Sequence, residues 1–319
     1  MLRQRFQRRL GVVMRRQSMK NHSSAAGVAE KPAVNALINK HCPPKRILVA
    51  LDPSRASEIA WEEAEILSKI WRSKVEGVYV QPWLWAGNSE FGYADPQLTA
   101  KTSEETVERL RRNLGIKERI VSLPGDPVEE ITRWAHTNKF DLIVVGTQSR
   151  LGLARAFHSS VAEAVVRHSQ VPVLIAKRPV KKPEAILAPY DLNSSSVPGL
   201  EFAAACAKIM DARLNIFHVA AAPNAEFSGD LSHIKKTILS GLDNLPAPQK
   251  PHKIEAQVAW GKPINEILKA SLEADLVVLT ARSRGFLEDM ILGTTAERVI
   301  RYSESSVLAV PAVADKGEI

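Results

Sequence analysis

Residues Phe140–Ala176 and Ala274–Val310 align with each other without a gap. They read FDLIVVGTQSRLGLARAFHSSVAEAVVRHSQVPVLIA and ADLVVLTARSRGFLEDMILGTTAERVIRYSESSVLAV, and thirteen of the 37 pairs are identical. A self-match of this length requires a duplicated structural unit. The offset of 134 residues is the size of a domain and far exceeds a solenoid repeat. The chain therefore reads as a leader at 1–42 followed by two copies of one domain, at 43–180 and 181–319. Function is to be sought at equivalent places in both.

The duplication extends outward from this core. Lys45–Ser54 (KRILVALDPS) corresponds to Glu184–Asn193 (EAILAPYDLN), each an apolar run ending in an aspartate, Asp52 or Asp191. Helical stretches at Glu58–Ile70 and Gly199–Met210 follow, then β-rich runs at Val75–Val80 and Leu214–Val219. Gly125-Asp126-Pro127 and Gly261-Lys262-Pro263 each open a helix, a position that suits the fixed φ and missing donor of proline. Leu142–Val145 and Leu276–Leu279, a polar loop, helices at Ser160–His168 and Thr294–Tyr302, and strands Val171–Ala176 and Ser306–Pro311 complete each copy. Short, mostly apolar strands alternating with amphipathic helices predict a parallel sheet covered on both faces. The fold class is α/β: two tandem, doubly wound, open parallel-sheet domains. Such folds bind ligands at the carboxyl ends of their strands. Asp52, Asp191 and the loops Gly146–Ser159 and Thr280–Gly293 fall there.

Composition excludes several functions. Apolar residues make up 45% of the chain, yet no run approaches the ~18 residues that span a bilayer. The net charge of +8 is concentrated in residues 1–30, which hold seven Arg and Lys against one acid, so the domains are nearly neutral and predict no nucleic-acid partner. In that leader Leu2, Phe6, Leu10 and Val13 share a helical face, the pattern of an organellar presequence or a membrane-surface helix. A disordered basic arm, or translation starting at Met14 or Met19, explains it equally. The domains themselves predict a cytoplasmic protein. Cys42 and Cys206 form neither a disulfide framework nor a metal-ligand spacing and read as ordinary thiols. No Cys/His cluster, nucleophile elbow or catalytic carboxylate pair stands out, so neither metal nor catalytic residues are expected.

These features resemble the universal stress protein family in its tandem form, over about residues 43–315. The resemblance rests on the strand ending in Asp, the Gly-x-Pro turn and the final strand–loop–helix–strand. In nucleotide-binding members the last segment reads G-x-x-G, nine residues, then G-S or G-T. The matching positions here are Gly146, Ser149, Ser159 and Ser160 in the first copy, and Thr280, Ser283, Gly293 and Thr294 in the second. The spacing is intact, but each copy keeps one of three glycines. The glycines would let backbone approach ribose and phosphates, with φ > 0 as a further use. A Ser or Thr at the helix N-terminus would favour an anion. The resemblance implies that Asp52 and Asp191 contact the adenosine part of ATP while Val80 and Val219 line the base pocket. Members lacking the glycines do not use ATP. Between the copies, the second is the better candidate, with Gly293-Thr294 and with Pro189 before Asp191.

Competing readings stay open. Ser160-x-x-Glu163 and Thr294-x-x-Glu297 also fit capping boxes, which need no ligand. Arg150, Arg155 and His158 make the first loop basic, as an anion site or a solvated face. The segment Gln81–Thr102 carries Trp83, Trp85, Phe91 and Tyr93, as a lid, a partner surface or a cover for an interdomain cleft. The leading functional expectation is a non-enzymatic stress-response protein with weakened adenine-nucleotide sites. The alternatives are an apolar or lipid-like ligand and a slow ATPase, although no general base, Mg²⁺-binding carboxylate pair or P-loop lysine is evident. Members of the family usually dimerise through their last strands, so the resemblance implies an internal pseudo-dimer joined through Val171–Ala176 and Ser306–Pro311, which would close two sheet edges, with further dimerisation open.

Overall fold

The computed structural model describes residues 42–81, 96–147, 161–220, 231–242, 251–281, 283–284 and 291–312. The first half runs β1 (Arg46–Leu51), α1 (Arg55–Trp71), β2 (Lys74–Gln81), α2 (Pro96–Leu114) and β3 (Ile120–Pro124). It continues with α3 (Pro127–Thr137), β4 (Leu142–Gly146), α4 (Val161–His168) and β5 (Val173–Ala176). The second half repeats the order as β6 (Ala185–Pro189), α5 (Val197–Met210), β7 (Arg213–Ala220), α6 (Leu231–Leu242) and β8 (Lys253–Trp260). Then come α7 (Pro263–Ser271), β9 (Leu276–Ala281), a two-residue ribbon β10 (Ser283–Arg284) with β11 (Ile291–Leu292), α8 (Thr294–Tyr302) and β12 (Ser306–Pro311). The leader through His41 and the four aromatics after β2 lie outside the described residues; α2 begins within the segment Gln81–Thr102. Among the described residues no helix is long and apolar enough to cross a membrane.

Ten strands form one sheet in the order β3-β2-β1-β4-β5-β12-β9-β6-β7-β8. The order is a palindrome about its centre, so a pseudo-twofold axis passes between β5 and β12. Those two strands pair antiparallel, Val307 to Ile175 and Leu308 to Leu174, whereas their outer neighbours pair parallel. Joining the last strands removes two edges that would otherwise template aggregation. Along β1 the side chains alternate, Ile47, Val49 and Leu51 entering one core and Leu48 the other. The first core packs under α1, α2, α5 and α6, the second under α3, α4, α7 and α8, and each runs across both halves.

Residues shared by the two copies have local physical causes. Asp141 accepts the backbone N–H groups of Lys45 and Arg46 at 2.9 and 3.0 Å, and Asp275 accepts those of Glu184 and Ala185 at 2.8 and 3.1 Å. Each carboxylate thus closes the start of the first strand of its half. Gly125 and Gly261 adopt φ of 143° and 148°, a region that side chains rarely enter. Asp126 then caps α3 through Val128 and Glu129, with Pro127 filling the first helical position.

Polar contacts also cross the joint. Arg301 of α8 donates to both oxygens of Glu163 in α4, at 2.9 and 2.7 Å, and to Glu297 at 3.3 Å. Glu163 is 5% exposed. The glutamates that the sequence offered as capping-box partners therefore meet an arginine at the interface. Fork geometry makes such pairs strong, and removing one partner strands a buried charge. Arg301→Met is expected to lower stability by about 1–3 kcal/mol, less than for a fully buried pair because the arginine side chain is 43% exposed. Urea unfolding measures it; an unchanged midpoint would show that the pair holds nothing.

Candidate functional site

In the second half a cleft of about 270 Å³ opens at the carboxyl ends of the strands. Phe217, Val219, Leu279, Ile267 and Val299 form apolar walls, and Pro189, Tyr190, Asp191 and His218 form one rim. Thr280, Gly293 and Thr294 close the other side. Six sequence-nominated residues, Pro189, Asp191, Val219, Thr280, Gly293 and Thr294, are thus brought together. The walls contributed by Phe217, Ile267, Leu279 and Val299, and the rim residues Tyr190 and His218, were not nominated. Strand alternation at β7 and the apolar stripe of α7 carry that signal, but it is indistinguishable from ordinary core until the helices are placed.

The aspartates sit in matching cradles. Asp191 Oδ1 accepts the Ser196 hydroxyl at 2.7 Å and the Asn193 N–H at 3.1 Å. Asp52 Oδ1 accepts the hydroxyls of Ser54 and Ser57 in the same way. Each carboxylate ties its strand end to the first turn of the next helix, a structural duty that fixes where its edge faces. The ring of His218 contacts the carbonyl of Tyr190 through Nδ1 at 2.8 Å, turning Nε2 away from that bond. Burial, then the charge of Asp191, holds the Tyr190 phenol above its ordinary pKa, so it stands protonated at the rim.

At the helix start the structure corrects the capping expectation for the second copy. Gly293, not Thr294, is the N-cap residue of α8, with no side-chain cap bond, and Glu297 reaches Arg301 instead of back toward Thr294. The leading N–H groups of α8 and the Thr294 hydroxyl therefore border the cleft. Gly293 has φ −59° and ψ 138°, values open to any residue, and a Cβ built on it meets no atom of the described residues within 4 Å. The expected φ > 0 is absent there and at Gly146.

Gly146 has a different cause. A Cβ there would lie 2.0 Å from the Ala56 carbonyl oxygen, because α1 packs directly on the end of β4. In the second copy the roles reverse: Thr280 carries the side chain and Gly199 of α5 leaves the room, its own Cβ meeting Thr280 N at 2.6 Å. The Thr280 hydroxyl then donates to Ser196 O at 3.1 Å and accepts Gly199 N–H at 2.8 Å. The first glycine of the signature thus serves helix–strand packing, and its loss is compensated within the fold. Val80 is a buried residue of the second core. Ser283 pairs with Leu292 in the β10–β11 ribbon. Ser149, Ser159 and Ser160 lie outside the described residues, as do Arg150, Arg155 and His158.

A duplicated, doubly wound α/β chain with a ligand-sized cleft at its strand ends defines the class. The model of the universal stress protein family matches residues 43–177 and again 183–311, so the chain belongs to that family, in tandem form. Universal stress protein MJ0531 of Methanocaldococcus jannaschii is 30% identical over 144 residues, covering 43% of this chain and 85% of the relative. Universal stress protein Rv2005c of Mycobacterium tuberculosis is 24% identical over 209 residues, 62% of this chain and 69% of its own length. The crystal structure of a universal stress protein from Archaeoglobus fulgidus shares the fold across 83% of this chain and 98% of its own, at 23% identity and a TM-score of 0.64.

Proposed function

We propose that the chain is a non-catalytic stress-response protein that holds an adenine nucleotide in the cleft of its second half. The observation that carries this reading is Gly293. Neither a positive φ nor packing against the described residues requires glycine there; glycine is a favoured N-cap, and its missing side chain also leaves open space at the helix N-terminus. Partial positive charge and unpaired N–H groups make that place suited to phosphate. Glu297 in the same turn would oppose an anion, but its carboxylate is engaged by Arg301. Val219, Ile267 and Leu279 suit the faces of a purine, and Asp191 offers an acceptor for ribose hydroxyls.

Titration of the full chain with ATP by calorimetry tests the reading. Gly293→Val should weaken binding about tenfold or more, a loss of at least ~1.4 kcal/mol; its Cβ meets no atom of the described residues within 4 Å, so the accompanying loss of stability is that of a poorer N-cap, about 1 kcal/mol. Ser283→Gly should strengthen it. Absent binding, or an affinity indifferent to both changes, rejects a nucleotide site; displacement of a bound fatty acid in place of ATP would assign the apolar walls to a lipid-like ligand.

A further inference from the structure

The helix that opens at the cleft is gripped near its far end by the other half of the chain. Glu297 lies in the first turn of α8, three residues after Thr294 and about 4.5 Å along the axis from it. Arg301 follows one turn later and divides its guanidinium between two carboxylates. Its Nε and Nη2 donate to the two oxygens of Glu163 in α4, at 2.9 and 2.7 Å, while Nη2 also donates to Glu297 Oε1 at 3.3 Å. The offset of 134 residues makes Arg167 the counterpart of Arg301, and Glu163 that of Glu297. Among the described residues the twofold-related bond from Arg167 to Glu297 is not made; Glu297 has Arg301 of its own helix instead. One guanidinium therefore serves both glutamates, and Glu163 takes the shorter, two-pronged share. The same α4 packs against β11, which leads into Gly293.

We infer that Arg301 sets the charge selectivity of the cleft by screening Glu297 from ligand phosphates, and that Glu163 of the first half limits how completely it does so. The inference rests on the adenine-nucleotide reading of the cleft. A phosphate at the start of α8 gains from the leading N–H groups and loses to a carboxylate in the first turn. Glu297 is that carboxylate, and with 31% of its side chain exposed its field is only partly screened by water. Arg301 is its counter-charge, but the fork is aimed at Glu163 and one nitrogen is shared. The three groups together carry one excess negative charge. Without the Glu163 carboxylate, Arg301 belongs wholly to Glu297 and the excess vanishes. Without the arginine, Glu297 faces the ligand unopposed. Both residues act through Glu297, so they are positioning residues for the phosphate. An uncharged ligand such as adenosine is indifferent to all three. The first half thereby tunes what the second half binds, through a contact at the joint.

Calorimetry of the full chain with ATP, without added divalent metal, and with adenosine read by its displacement of ATP, gives the affinity ratio of a charged to an uncharged ligand. Both ligands are measured on the same variant, so a loss of stability cancels in the ratio. Arg301→Gln should lower the ratio about threefold to tenfold, and Glu297→Gln should raise it by a similar factor. Glu163→Gln should raise it about twofold to threefold. The effects are coupled: once Glu297 is glutamine, Arg301→Gln should shift the ratio by less than about twofold, and once Arg301 is glutamine, Glu163→Gln should do no more. A ratio unmoved by Arg301→Gln, effects of Arg301→Gln and Glu297→Gln that simply add, or a full Glu163→Gln effect without the arginine overturns the inference and leaves the adenine site standing. If neither ATP nor adenosine binds the native chain, the nucleotide reading fails and this inference falls with it.

Discussion

Gly146→Ala is expected to destabilise the chain by about 3 kcal/mol, the upper end for overpacking a well-filled site. The added methyl would sit 2.0 Å from the Ala56 carbonyl oxygen and 2.3 Å from its carbon, and both are backbone atoms. No rotamer change relieves such a contact, so the first turn of α1 must lift from β4. Asp52 is tied to that turn through Ser57, at 2.8 Å from its N–H to the serine hydroxyl, so the displacement reaches the strand end as well. Gly293→Ala is the matched control: its methyl meets no described residue at φ −59°, and stability should fall by no more than about 1 kcal/mol, the cost of a poorer N-cap. Urea unfolding of both variants decides the matter. A Gly146→Ala protein as stable as the control would mean that the helix is not seated on this glycine.

The contrast changes how the signature is to be read. One of its glycines is spent on packing a helix against a strand, and the second half solves the same problem with Gly199 beneath Thr280. Scoring a ligand site by counting glycines therefore mixes two causes. Gly293 is the one that neither a positive φ nor a described neighbour demands.

Much of the fold was legible because its signals are local. The period-two burial of β1, proline at the first positions of α3 and α7, and the identical Asp141 and Asp275 each act within a few residues or against one neighbouring strand. The pairing of β5 with β12 was expected from the family resemblance, whose members usually dimerise through their last strands, once the duplication put two copies in one chain. What stayed hidden depends on contacts between distant segments. Glu163 matched a local capping pattern, yet its arginine comes from the other half, 138 positions away. The cleft walls at Phe217 and Val299 have the composition of core, and only the helix placement leaves a gap between them.

Glu63→Gln is expected to abolish a loss of stability that the native chain suffers between pH 4.5 and about 8. Glu63 lies on α1 at 6% exposure, and its carboxylate accepts the Ser306 hydroxyl from β12 at 2.7 Å. Burial raises its pKa from 4.5 to about 8, outweighing the opposing effect of that hydrogen bond. In the unfolded chain the group ionises near 4.5, whereas in the folded chain it keeps its proton to about 8. The folded state therefore binds more protons across this window, and stability must fall as pH rises through it. The contribution is complete below 4.5 and gone above about 8. At roughly 1.4 kcal/mol per unit the loss is on the order of 5 kcal/mol. Lys177, whose backbone N–H reaches the same Ser306 hydroxyl at 3.1 Å and whose ammonium donates to the Ser303 carbonyl at 2.6 Å, works in the opposite sense. Burial lowers its pKa from 10.5 to about 8, so its contribution is complete above 10.5 and lost as pH falls toward 8. Together the two groups place a minimum of stability near pH 8 at the joint between the halves. Glutamine mimics the protonated acid and cannot ionise. The variant should match the native chain at pH 4.5, exceed it at pH 8 by several kcal/mol and retain only the rising limb from Lys177. Urea midpoints at pH 4.5, 6.5, 8 and 10 trace both limbs. If the variant and the native chain lose stability in parallel from pH 4.5 to 8, then Glu63 is already ionised in the folded state and the joint tolerates its charge.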